Sequence, residues 1–280
     1  MKSEEHSPRN FTYSIGRIWM KYLFILGGLA LVFYSLYVSI SSDKNEKKTL
    51  WLVDTSLSMV VRDMVTEKNI LHSRLEVAQS LILSGRTIIP GNHALMIFGE
   101  TNQLLLPFSD EASIFSSTVR GLTPTLYHSA TDIEGSLSAI DTVYGTTPMD
   151  IILLTDGEDT LELDEKGSNL NTPFRNIFIV GIGTPGGGPM LQGYDANGNP
   201  RYKQFEGKQA ISRLDTDNIQ RLTEKYQAQS IIMNTINDRD NFLDSIRQNN
   251  SGISHDGLPI MIVGIILLLC GLMVPIVRYR

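Results

Sequence analysis

Two apolar runs constrain the architecture more than anything else in the chain: residues 50–53 (Leu-Trp-Leu-Val) and 151–154 (Ile-Ile-Leu-Leu). Each consists of strand formers with no residue suited to face water, and each stops abruptly at small polar residues. Both therefore read as strands buried on two faces, the kind found in parallel sheets covered by helices. In open α/β sheets ligands bind at the carboxyl edge of the strands, so the residues just after each run are the first candidates for a site. The first run continues Asp54-Thr55-Ser56-Leu57-Ser58 and the second Thr155-Asp156-Gly157-Glu158. Two carboxylates and two serine hydroxyls thus emerge at one edge. Between them Thr131-Asp132-Ile133 opens a helical pattern with Ile133, Leu137 and Ile140 on one face, and Thr131 can be its N-cap or a ligand.

Serine, threonine and aspartate also cap helices, and the pentapeptide alone fits a cap as well as a metal loop. The second carboxylate moves the balance towards a ligand site. Around these segments strand and helix patterns alternate. Strands are expected at residues 50–53, 94–98, 103–107, 151–154 and 177–181, with a weaker one at 230–233. Helices are expected at residues 74–88, 112–119, 132–143 and 216–228. That alternation predicts an α/β fold with a doubly wound, mostly parallel sheet. The short gap between residues 98 and 103 predicts a hairpin that adds one antiparallel edge strand.

The three polar pieces, in this order, resemble the metal-ion-dependent adhesion site of von Willebrand factor type A domains, which is Asp-x-Ser-x-Ser, then a Thr, then an Asp. Ser73-Arg74-Leu75-Glu76-Val77-Ala78, Ala94-Leu95-Met96-Ile97-Phe98-Gly99 and Gly181-Ile182-Gly183-Thr184 are similar to the membrane-anchored Bat-type members associated with MoxR ATPases. The resemblance covers about residues 49–233 and implies a Rossmann-like fold over 49–250. It implies that Ser56, Ser58 and Thr131 touch a metal directly or through water, with Asp54 and Asp156 acting mostly through bound water. It also implies a partner protein that contributes an Asp or Glu, and a functional link to a MoxR-type AAA+ ATPase in assembling or maturing an envelope complex. Thr131 is preferred to Thr125 because the Thr-x-Ile-x-x-x-Leu pattern begins at it.

The chemistry points the same way. Mg²⁺ or Mn²⁺ prefers oxygen ligands and keeps several waters, with Ca²⁺ a weaker fit, whereas Zn²⁺ would want His or Cys. A hydroxyl-rich set leaves much of a cation's charge uncompensated, which favours an incoming carboxylate. The resemblance, in which that carboxylate comes from a bound partner, implies recognition rather than catalysis. A Mg²⁺-dependent phosphatase of the haloacid dehalogenase type also begins with an Asp after its first strand, but it needs Asp-x-Asp for its nucleophile and acid-base pair. Ser56 stands at that second position. The remaining alternative is a structural scaffold with a vestigial metal site.

A formal net charge of -6 argues against nucleic acid as a partner, and the single Cys270 excludes an intramolecular disulfide. Residues 22–42 and 258–277 carry no charge and are long enough to predict two transmembrane helices. Lys2, Arg9, Arg17 and Lys21 precede the first and Arg278 and Arg280 come after the second, so residues 1–21 and 278–280 are expected in the cytoplasm. The domain between them would then lie on the outer side of a bacterial inner membrane.

Other motifs read as structural. Pro185-Gly186-Gly187-Gly188-Pro189 lacks the Lys-Ser/Thr of a phosphate loop and is expected to be a flexible connection. Asp195 to Glu206 has calcium-loop length, but Pro200 occupies the position that requires Gly, and Asn197-Gly198 predicts a hairpin turn. His72, His93 and His128 have no i,i+4 pairing and are expected at surface or turn positions.

Overall fold

The computed structural model describes residues 9–42, 47–66, 68–125, 130–145, 147–160, 176–250 and 258–273. In chain order its main elements are α1 (Arg9–Ser42), β1 (Lys48–Asp54), α2 (Arg74–Ile88), β2 (Asn92–Phe98), β3 (Gln103–Ser109), α3 (Ala112–Arg120), α4 (Ile133–Tyr144), β4 (Asp150–Thr155), β5 (Ile177–Ile182), α5 (Thr216–Lys225), β6 (Gln229–Met233), α6 (Asp238–Asn250) and α7 (Leu258–Met273). His128, Lys2, Arg278 and Arg280 lie outside the described residues. The chain divides into a unit of residues 47–250 and a second unit formed by the segments on either side of it.

The larger unit is built on a six-stranded sheet of order β6-β5-β4-β1-β2-β3. All neighbours are parallel except β2 and β3, the antiparallel hairpin at one edge. Alternation along β1 explains the two layers of core. Trp51 and Val53 face one side with α2, Phe115 and Val119 of α3, and Phe242 and Ile246 of α6. Leu50 and Leu52 face the other with Ile133, Leu137 and Ile140 of α4 and Ile219 and Leu222 of α5. Each fully buried side chain of this size contributes roughly 1.5–3 kcal/mol, so a one-residue slip of β1 would be prohibitive.

Helix α2 begins with a capping box: the Ser73 hydroxyl accepts from the Glu76 N–H, and the Glu76 carboxylate accepts from the Ser73 N–H. Its buried face carries Gly85 against Trp51, where a Cβ would come within 2.4 Å of the indole. Trp51 is wholly enclosed and has nowhere to swing. Gly85→Ala is therefore expected to lower stability by about 1–3 kcal/mol through overpacking, against a helix-propensity gain of ~1 kcal/mol. Urea unfolding measures the difference, and a more stable variant would show that the indole yields.

The smaller unit corrects the expectation of flanking transmembrane helices. Residues 22–42 and 258–273 are helical, but among the described residues no helix is long and apolar enough to cross a membrane. Helix α7 has sixteen described residues, about 24 Å at 1.5 Å per residue, against a hydrocarbon core of about 30 Å. In α1 the apolar run is interrupted by Gly27-Gly28 and by Tyr34 and Ser35. An uncharged run dictates helicity and apolarity, not span. The two helices pack on each other through glycine: Gly28 lies against Leu268 and Gly264, and Gly264 against Val32 and Leu31.

Candidate metal centre

Strand β1 ends at Asp54 and its parallel neighbour β4 at Thr155, in a register that pairs Val53 with Leu154. From β1 the chain passes to β2 on one side, while β4 lies on the other, so the loops after β1 and β4 diverge around a crevice. This is the switch point at which open α/β sheets bind ligands.

At this crevice Asp54 is held by both oxygens. The Ser56 N–H donates to Oδ1 at 2.8 Å and the Thr155 hydroxyl to Oδ2 at 2.8 Å. Ser56 is extended and starts a 3-10 turn over Leu57–Val60. That tight turn places the Ser56 and Ser58 hydroxyl oxygens 2.8 Å apart, hydrogen-bonded to each other and nearly enclosed. Asp156 comes directly after β4. Its Oδ1 accepts from the Glu158 N–H at 3.1 Å, and its Oδ2 accepts from the Arg74 guanidinium at 2.6 Å and the Ser212 hydroxyl at 3.4 Å.

Thr131 is buried in the loop before α4. Asp132, not Thr131, is the N-cap, with its Oδ1 accepting from the Gly135 N–H at 2.6 Å. The Thr131 hydroxyl is thereby left out of the cap. The loop is tied to its neighbours, since the Asp132 N–H donates to the Gly99 carbonyl and the Thr131 N–H to the Thr160 hydroxyl. Thr125 is engaged with Thr55, through its N–H to the Thr55 carbonyl at 2.7 Å and a hydroxyl contact at 3.3 Å. Asp54, Ser56, Ser58 and Asp156 are thus brought together at the crevice, and Thr131 stands on an adjoining loop of the same edge.

Sequence reasoning missed the group at the centre of this network. Arg74, in the first turn of α2, is completely buried and grips Asp63 with two nitrogens at 3.1 and 2.9 Å. It also donates to the Ser212 hydroxyl and carbonyl at 2.7 and 3.2 Å. Asp63 in turn accepts from the Thr184 N–H and hydroxyl. A cation in the first turn opposes the helix dipole, and that misfit was the one signal in the sequence that Arg74 has another task.

Charge does not balance here. Asp54, Asp63 and Asp156 are three buried carboxylates, and the one buried guanidinium pairs with Asp63 and Asp156 while Asp54 is held by the Ser56 N–H and the Thr155 hydroxyl. Burial, and after it the Asp156 charge, push Asp54 up to about 7 against the hydrogen bonds from Ser56 and Thr155. Burial also raises Asp156, offset by Arg74 and by a hydrogen bond from Ser58, and it raises Glu158. Among the described residues no group of three or more His, Cys, Asp or Glu forms a metal cage. Hydroxyls beside under-neutralised carboxylates instead form a hard-oxygen donor set, which fits Mg²⁺ or Mn²⁺ and does not fit Zn²⁺.

Two other expectations change, and the hairpin expected at Asn197-Gly198 is found. His93 is enclosed in the core rather than placed at the surface. The glycines of residues 185–189 form an ordered turn in which the Gly187 N–H donates to Thr184, and Gly188-Pro189 pairs with Ile211-Ser212. Asp195 closes the hairpin between Leu191–Tyr194 and Pro200–Tyr202 by accepting from the N–H groups of Asn197 and Asn199.

No protein-family model and no curated protein matches the sequence. Solved structures do. An aerotolerance-related membrane protein from Bacteroides fragilis NCTC 9343, carrying multiple mutations to serines, superposes with a TM-score of 0.59 at 18% identity, over 72% of this chain and 97% of that one. The conserved hypothetical protein BatB from Bacteroides thetaiotaomicron superposes with a TM-score of 0.57 at 18% identity, over 74% of this chain and 98% of that one. A von Willebrand factor type A protein from Catenulispora acidiphila reaches a TM-score of 0.47 at 12% identity over 72% and 42% of the two chains, too distant to carry weight. The chain has a Bat-like fold.

Proposed function

We propose that this chain is a recognition protein of the von Willebrand type A class, which holds Mg²⁺ or Mn²⁺ at the switch point and uses it to capture an Asp or Glu side chain of a partner protein. One observation carries the reading: two serine hydroxyls 2.8 Å apart stand beside buried Asp54, which has no cationic partner among the described residues, and buried Asp156, which divides a single guanidinium with Asp63. Ser56 and Ser58 would hold the ion with Thr131, while Asp54 and Asp156, already fixed by protein donors, would act through its bound water. The ion would supply an electropositive centre with a free coordination position, the chemistry that selects a carboxylate.

Turnover is not part of this reading. Position 56, where phosphatase chemistry needs an acid-base carboxylate, is a serine whose N–H is spent on Asp54. We place the protein at a membrane, because the Bacteroides fragilis neighbour is described as a membrane protein and because α1 and α7 expose Trp19, Leu23, Phe33 and Leu272. The Bat-like fold makes a MoxR-type ATPase a first partner to test.

Isothermal calorimetry of the full chain should show one Mg²⁺ or Mn²⁺ bound weakly. Ser56→Ala with Ser58→Ala should weaken it at least tenfold while circular dichroism stays unchanged. Unchanged affinity in that double variant would remove the assignment. Membrane pull-downs should recover a partner with Mg²⁺ and lose it with EDTA.

A further inference from the structure

Between β5 and α5 the chain makes a projection of short hairpins, residues 188–212, rooted at the metal crevice. Three contacts fix the root. Ser212 receives two hydrogen bonds from Arg74 and donates to Asp156. The Arg213 N–H donates to a carboxylate oxygen of Glu158 at 2.9 Å. Gly188 lies so close to the turn that carries Ser58 that a Cβ would come 2.8 Å from the Val61 side chain, and Gly187 adopts φ +62 with the Ser212 carbonyl in the place of a Cβ. The projection is therefore a fixed wall of the crevice.

Beyond its root the wall has no core of its own. It contains Leu191–Tyr194 paired with Pro200–Tyr202 and a second small hairpin of Gln204-Phe205 with Lys208-Gln209. Two-stranded ribbons of this length are marginal in water, and burying the aromatics they carry would stabilise them. Tyr194 and Phe205 are instead 66% and 69% exposed. The charge of the wall is also opposite to that of the chain: Arg201, Lys203 and Lys208 stand against Asp195 and Glu206, with Arg213 directly after it, in a protein of net charge -6.

We propose that this projection is a docking surface for an acidic segment of a protein partner, with Lys203, Lys208 and Arg213 drawing in the carboxylates that flank the one taken by the metal, and Tyr194 and Phe205 covering apolar residues between them. The proposal rests on the metal-recognition reading and adds to it the chemistry of the partner. Basic rims accelerate encounter and exclude basic competitors, and aromatic anchors supply contact area at low entropic cost.

The test uses the full chain, saturating Mg²⁺ and fluorescein-labelled hexaglutamate, with hexaglutamine as the neutral control. Hexaglutamate should bind and hexaglutamine should not. Lys203→Glu with Lys208→Glu and Arg213→Glu should weaken hexaglutamate at least tenfold, while calorimetric Mg²⁺ affinity stays within twofold and the thermal midpoint is unchanged. Equal hexaglutamate affinity in the charge-reversed chain would overturn the docking surface and leave the metal reading intact. Lost Mg²⁺ binding in Ser56→Ala, Ser58→Ala with hexaglutamate binding retained would identify a surface that acts without the ion. Concentration-dependent dimerisation abolished by Tyr194→Ser with Phe205→Ser would assign the projection to a second copy of the chain and overturn the proposal.

Discussion

Arg74→Met should destabilise the protein by about 3–5 kcal/mol, because removing one partner of a buried ion pair leaves the other charge uncompensated. Here two are left, Asp63 and Asp156, and Ser212 loses both of its donors. Methionine fills a similar volume, so lost packing contributes little and the deficit reports the stranded carboxylates. Arg74→Lys keeps the charge but cannot span Asp63 with two nitrogens while reaching Asp156, so it should recover only part of the loss. Urea titrations of the full chain measure all three proteins. A Met variant within about 0.5 kcal/mol of the parent would show that the network adds no net stability, as some buried ion pairs do not.

Acid should weaken the fold through His93. The ring is enclosed among apolar side chains, with Trp51 stacked near it and Phe115 edge-on. Nδ1 accepts from the Trp51 indole N–H at 3.0 Å, and Nε2 donates to the Ile89 carbonyl at 3.0 Å. Those contacts specify one neutral tautomer, and a proton on Nδ1 would face the indole N–H donor. Burial, then the nearby Arg86 charge, lower the group to about 4 from its usual 6.5. Because the folded value is the depressed one, the stabilisation is present above pH 6.5 and is lost as pH falls from there through about 4. The whole window is worth about 3 kcal/mol at about 1.36 kcal/mol per unit. Carboxylates also titrate in this range, so the comparison is with His93→Gln, whose amide can accept from Trp51 and donate to Ile89 without titrating. Its stability should fall less between pH 6.5 and 4 by that amount, and parallel curves would contradict the assignment.

Legibility from sequence depended on how local each determinant is. The strands around residues 50–53, 94–98 and 151–154 were legible because doubly buried strands are apolar without interruption, and the hairpin edge because about five residues cannot make a parallel crossover. Asp54, Ser56 and Ser58 lie within a single pentapeptide, and Asp156 repeats their setting after another apolar strand. Arg74 was not legible as buried, since its partners come from residues 63, 156 and 212, whose meeting only the fold decides. His93 sits between Asn92 and Ala94 at the start of β2, where a polar neighbour disguises a central strand. The apolar runs near the chain ends were legible as helices, while a span across a bilayer, which no helix among the described residues is long and apolar enough to make, depends on continuous length.

The hydrogen bond from Thr155 to Asp54 joins residues 101 positions apart. Closing a loop of that size costs about 4 kcal/mol in chain entropy, which the β1–β4 contact must meet before any donor set exists. The crevice is therefore assembled only when β1 and β4 have met. On a ribosome adding roughly 5–20 residues per second, Asp54 waits several seconds or more for Asp156 to be made at all. A nascent chain would have no complete donor set throughout that interval, so any ion held at this crevice would mark only molecules whose central sheet has closed.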